Sequence, residues 1–183
     1  MPRISALAAC LIACLPLASL PAGAAEPGAS EADTRAQVIG SAGTFALVNE
    51  FDYPWLAGVQ YRGRPWGGWR LRPGLGVDAG RDNMLYLYAD MARDFALPRD
   101  WLVTLSLGAG WFANGETIGT NYDFEFKSGF ALARRLSSGG HAGVAVYHYS
   151  NGGLDHPNYG SEALVLFLAW PVGRQGLSKG LSP

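Results

Sequence analysis

A histidine, a serine and a glutamate lie within fifteen residues near the C-terminus: His148, Ser150 and Glu162. Two apparent strands flank the segment between them, and a hairpin with its apex at Asp155 sets His148 opposite Glu162. Directly opposed residues on one sheet face hold their Cβ atoms about 5 Å apart. Side chains alternate along a strand with period two, so Ser150 shares the face of His148. The chemistry implied is acyl transfer. Ser150 is the candidate nucleophile, His148 the general base, and Glu162 the acid that orients the imidazole. Asn151 and the flexible pair Gly152-Gly153 are candidate side-chain and backbone donors for the oxyanion of a tetrahedral intermediate. A glycine pair also suits a plain hairpin turn, and the two roles are compatible. Asp155 and His156 are rivals as acid and base, but they sit at the loop apex, where the backbone does not fix them against Ser150.

The positioning elements begin after a removable leader. Arg3 is followed by an uncharged apolar stretch, Ile4–Leu15, then Pro16 and the small residues Ala22–Ala25, the pattern of a cleaved signal peptide over residues 1–25. A retained anchor and a lipoprotein site at Leu11–Cys14 are weaker readings of the same stretch. Both cysteines, Cys10 and Cys14, fall inside it, so the mature chain offers no disulfide, thiol nucleophile or thiolate metal site. Without Arg3, 13 basic residues face 15 acidic ones, a balance that does not suggest a nucleic-acid surface. No spacing resembles a metal site, and no cofactor is expected. Residues 26–37 read as a flexible lead-in and 173–183 as a tail.

Residues 38–172 read as eight strands, near 38–50, 55–62, 68–80, 83–95, 101–113, 121–134, 141–150 and 160–171. Leu85, Leu87, Ala89 and Met91 alternate with Tyr86, Tyr88 and Asp90, and Phe124, Phe126, Phe130 and Leu132 alternate with Asp123, Glu125 and Lys127. A soluble sandwich or lipocalin-type barrel would bury the apolar face. An all-β, eight-stranded antiparallel transmembrane β-barrel would turn it to lipid and fill a small lumen with Arg70, Arg72, Asp78, Asp90, Asp123, Glu125 and Lys127. Strands longer than the soluble mode of roughly 5–6 residues favour the transmembrane barrel. So do Trp69, Trp101, Trp111 and Trp170 near strand ends, together with the signal peptide. His141, beside the turn at Ser137–Gly140, reads as a solvated residue.

Both termini of an exported even-stranded barrel lie in the periplasm, so the connection after Ser150 faces outward. Parity places His148 and Ser150 with Val144 and Val146, and Glu162 with Leu164, Leu166, Leu168 and Trp170. The three candidates therefore face lipid, where Lys or Arg at the midplane costs about 2–4 kcal/mol and acidic residues and interfacial depths cost less. Each alone is readily structural; three able to hydrogen-bond one another on an apolar wall argue for function.

His148-Tyr149-Ser150-Asn151, the glycine pair, Leu154, Pro157-Asn158, Gly160 and Glu162 resemble the active-site segment of the outer-membrane lipid A 3-O-deacylases (PagL type). The resemblance implies a bacterial outer-membrane barrel that hydrolyses the ester-linked 3-hydroxyacyl chain at position 3 of lipid A. It also implies the triad His148, Ser150 and Glu162, with Asn151 and Gly153 at the oxyanion. The expected partners are lipid A or lipopolysaccharide and outer-membrane lipid, with a homodimer left open. An outer-membrane phospholipase and a non-enzymatic structural or adhesive barrel are the competing functions. The residues that follow Trp170-Pro171-Val172 depart from the family pattern, which bears on assembly more than on chemistry, and Gly152, where such a loop can carry Ala, is a small departure.

Overall fold

The computed structural model describes residues 34–45, 54–114, 123–154 and 160–173. The leader, the tail from 174 onward, and Asp155, His156, Asn158 and Tyr159 lie outside them. Eight antiparallel strands close into a barrel in sequence order: β1 Ala36–Phe45, β2 Trp55–Arg62, β3 Arg72–Gly80, β4 Leu85–Ala96, β5 Trp101–Ala113, β6 Phe124–Arg135, β7 His141–Ser150 and β8 Ser161–Val172. β1 completes the ring by pairing with β8 from Ala36↔Val172 to Phe45↔Ala163. No described strand is left with an open edge, which satisfies every ladder within the wall.

Alternation sorts the two faces as expected of a transmembrane barrel. Leu75, Leu87, Leu107, Leu166 and Phe130 are exposed, whereas Arg72, Tyr86, Tyr149 and Val165 are buried inside. Trp101 and Trp111 lie ten residues apart on the outer face of β5. At about 3.4 Å per residue and a tilt of about 40°, they stand roughly 26 Å apart in height, close to the apolar band of such barrels.

The lumen is filled rather than open. At the end near the chain termini, Arg72 Nη1 meets Asp94 Oδ2 at 2.8 Å, Thr104 Oγ1 donates to Asp94 Oδ1 at 2.6 Å, and Gln60 Nε2 donates to Asp90 Oδ2 at 2.8 Å. Higher up, Lys127 Nζ pairs with Asp78 Oδ2 at 2.7 Å and lies 3.7 Å and 4.2 Å from the ring centroids of Tyr88 and Tyr147. Above it Phe45, Tyr86, Phe112 and Tyr149 form an aromatic plug. A charge this deep is tolerable only when paired, and the rings add cation–π attraction.

Several expectations shift. β3 starts at Arg72 rather than near 68, because Gly67 (φ 68°) and Arg70 (φ 51°) turn the chain and Trp66 bridges Leu71. Trp69 and Arg70 therefore belong to a turn, and Arg70 is not lumenal. Asp123 is likewise exposed, just before β6. β1 begins at Ala36, so Gln37, read as lead-in, is buried in the wall. His141 is not solvated: it is 2% exposed, and its Nδ1 accepts a hydrogen bond from Gln37 Nε2 at 3.2 Å. Its odd position on β7 turns it inward, and proximity to a turn does not override that register.

Candidate active site

On β7 the odd and even residues divide the work. Tyr147 and Tyr149 point inward, and Tyr149 is fully buried, with ring centroids 5.2 Å from Phe45 and 5.4 Å from Tyr86. Its hydroxyl donates to Asp78 Oδ2 at 3.3 Å. Burial of such a ring contributes about 1.5–3 kcal/mol. It also fastens the backbone behind the two residues on either side, His148 and Ser150, which point outward. The back of the site is thus rigid core, while its front is the barrel wall.

His148 pairs with Glu162 across β7 and β8, the register read from the local hairpin. The imidazole Nδ1–H donates to Glu162 Oε1 at 3.2 Å. Both side chains are partly covered, at 34% and 24% exposure. Among the described residues the buried Glu162 Oε2 has no hydrogen-bond partner, and the imidazole is the group that the carboxylate bonds. That bond fixes the tautomer with its acceptor lone pair on Nε2, as a general base requires.

Ser150 lies on the same face one alternation above His148, across from Phe126 of β6. Among the described residues its hydroxyl makes no hydrogen bond. Catalytic contacts of this kind often tighten only when substrate is bound.

The turn after Ser150 is built by Asn151, which is 3% exposed. Its Oδ1 accepts the Gly153 N–H at 2.8 Å, and Leu154 N–H donates to Asn151 O at 3.2 Å. Gly152 and Gly153 both hold φ in the left-handed region, at 66° and 84°, which only glycine adopts without cost in such a turn. The two expected oxyanion donors are therefore bonded to each other: the Gly153 amide is engaged by the Asn151 side chain.

Two neighbours of the imidazole were not singled out for this role from sequence. Gly160, at φ 63°, passes so close that a Cβ there would stand 2.9 Å from His148 Cε1 and 3.6 Å from Nε2. Ser128 of β6 is the cross-strand partner of His148 on the side away from Glu162. Its signal was the gap in the aromatic face of β6, where position 128 carries a hydroxyl between Phe126 and Phe130. Among the described residues no group of three or more His, Asp or Glu is placed to hold a metal ion.

A sequence model of the lipid A 3-O-deacylase (PagL) family matches residues 55–171, which include all three candidates. The chain belongs to the lipid A 3-O-deacylase (PagL) family. The lipid A deacylase PagL of Pseudomonas aeruginosa PAO1 is 34% identical over 64 residues, a stretch that makes up 35% of this chain. That match spans 36% of the length of the curated relative, about a third. The crystal structure of the outer membrane enzyme PagL superposes with a TM-score of 0.57 at 21% identity, covering 74% of this chain and 99% of that one. A barrel from the de novo design of transmembrane β-barrels reaches 0.53 at 12% identity, covering 76% and 96%. The two structural likenesses bear on the fold, and family membership rests on the sequence match.

Proposed function

We propose that this protein is a serine esterase of the bacterial outer membrane that removes the ester-linked 3-hydroxyacyl chain from position 3 of lipid A. The observation that carries the reading is the His148–Glu162 hydrogen bond on the lipid-facing wall, with Ser150 beside it on the same strand face. A buried ion-pair network has obvious structural uses in the lumen; a carboxylate–imidazole pair turned toward lipid has none that offsets its cost.

In the first step Ser150 Oγ attacks the ester carbonyl while His148 Nε2 takes its proton, and Glu162 stabilises the imidazolium. The tetrahedral oxyanion is assigned to the Asn151–Gly153 turn, with the Gly153 amide contributing as it swings away from Asn151 Oδ1. Collapse breaks the bond to the sugar oxygen, which leaves as an alcohol with the proton from His148. Water, deprotonated by His148, then attacks the acyl-enzyme and releases the 3-hydroxy fatty acid, returning Ser150 to its starting state. No cofactor or metal is required by this sequence of steps.

The wall below the site suits such a substrate. Val146 and Val144 of β7 form a shallow column between Phe130 and Leu132 of β6 and Leu164 and Leu166 of β8. An acyl chain lying in this trough stays in contact with apolar surface while its carbonyl reaches Ser150. The substrate need not leave the leaflet.

The test is purified full-length protein in detergent, given lipid A and phospholipid separately, with products read by mass spectrometry. Loss of one 3-hydroxy fatty acid from lipid A alone supports the deacylase. Cleavage of phospholipid alone replaces it with a phospholipase, and cleavage of neither leaves a non-enzymatic barrel.

A further inference from the structure

We propose that Ser128 determines substrate specificity at this site: its hydroxyl hydrogen-bonds a hydroxyl near the carbonyl of the bound acyl chain, favouring 3-hydroxyacyl esters over unsubstituted ones. This rests on the deacylase reading above.

Ser128, His148 and Glu162 form one cross-strand row on the outer wall, with the imidazole between the hydroxyl and the carboxylate. Lys127 is buried in the lumen, and a Cβ on Gly129 would run into the Tyr147 ring and Ser106 Oγ, so both neighbours of Ser128 face inward and Ser128 faces out. Its flanking outward residues, Phe126 and Phe130, are exposed aromatics. Among the described residues the Ser128 hydroxyl makes no hydrogen bond. A hydroxyl turned toward lipid with nothing to bond contributes no stability, which points to a partner carried by the ligand.

The position selects that partner. Ser128 is diagonal to Ser150, since Phe126 is the direct partner of Ser150, and diagonal pairs lie about 7–8 Å apart. It is also one alternation nearer the membrane interior, on the side where the acyl chain runs. A hydroxyl on the third carbon lies three covalent bonds, roughly 3–4 Å, from the carbonyl carbon. With that carbon held against Ser150 Oγ, the span to Ser128 is bridged by one hydrogen bond. The residues of the trough directly below, Phe130, Val146 and Leu164, are apolar, so Ser128 is the group on the acyl side equipped to recognise a hydroxyl there.

The experiment compares 4-nitrophenyl 3-hydroxydecanoate with 4-nitrophenyl decanoate as probes of the full-length protein in detergent, each rate divided by spontaneous hydrolysis. The unmodified protein is expected to favour the hydroxylated ester in kcat/KM by about tenfold, the size of one neutral hydrogen bond. Ser128→Ala collapses that ratio toward one, and Ser128→Thr, which keeps the hydroxyl, restores it. A ratio unchanged in Ser128→Ala overturns the proposal while leaving the esterase intact. Equal loss on both esters also overturns it, because a structural or nucleophilic role would cause that. If the unmodified protein cleaves neither ester nor lipid A, the deacylase reading fails and takes this inference with it.

Discussion

Gly160 runs its backbone along the edge of the His148 ring, leaving too little room for a Cβ, which would stand 2.9 Å from Cε1. The imidazole is therefore held from two directions at once. Glu162 Oε1 holds Nδ1 at 3.2 Å, and the residue two before it in the chain closes over the ring edge. The glutamate and the glycine arrive on the same short segment, so the entry into β8 positions the imidazole as a unit.

Gly160→Ala is expected to cut turnover at least tenfold while the barrel still folds. The added methyl must displace the ring, and φ of 63° adds about 1 kcal/mol of backbone strain for a residue with a Cβ. Lipid A turnover checks the first part, and heat-modifiable gel migration checks the second. Full activity would show that the ring has room to move.

Ser150→Ala and His148→Asn are expected to abolish hydrolysis, while Glu162→Ala lowers it less, because that residue orients rather than reacts. All three variants should retain heat-modifiable migration, since each side chain lies on the outer wall rather than in the lumenal network. Residual turnover in Ser150→Ala equal to the unmodified protein would remove the nucleophile assignment.

What could be read from sequence depended on how far each relationship reaches. The His148–Glu162 register spans one hairpin, so alternation and an apex residue were enough to place it. The bounds of β5 and β7, 101–113 and 141–150, are reproduced in the structure for the same reason: long runs of clean alternation closed by turn residues. His141 and Ser128 were less legible because their neighbours come from other strands. His141 meets Gln37 across more than a hundred residues of chain, and Ser128 meets His148 only through the β6–β7 register. The start of β3 was displaced because an alternating run, Trp69-Arg70-Leu71-Arg72, hides a turn that depends on the left-handed backbone of Gly67 and Arg70.

Lys127→Met is expected to destabilise the barrel by about 3–5 kcal/mol, since it leaves Asp78 buried without its cation. Adding Asp78→Asn should recover much of that loss, because the carboxylate that lost its cation is then neutral. Urea unfolding in detergent, followed by tryptophan fluorescence, measures both variants. Additive losses in the double variant would refute coupling between the two residues.

Val144→Trp tests the trough beneath the site. Val144 lies six residues below Ser150 on β7, about 20 Å along the strand at 3.3 Å per residue. An indole there bridges the ridges of Leu132 and Leu166, which are the cross-strand partners of Val144 on either side. A chain short enough to end above this level is unaffected, whereas a longer one must leave the wall and lose apolar contact worth about 0.8 kcal/mol per methylene. The expected outcome is a KM that rises with chain length beyond this point, with kcat for short-chain esters preserved. Tryptophan is well tolerated on lipid-facing walls, so folding should be intact. A uniform fall in kcat across all chain lengths would mean that the acyl chain takes another course from Ser150.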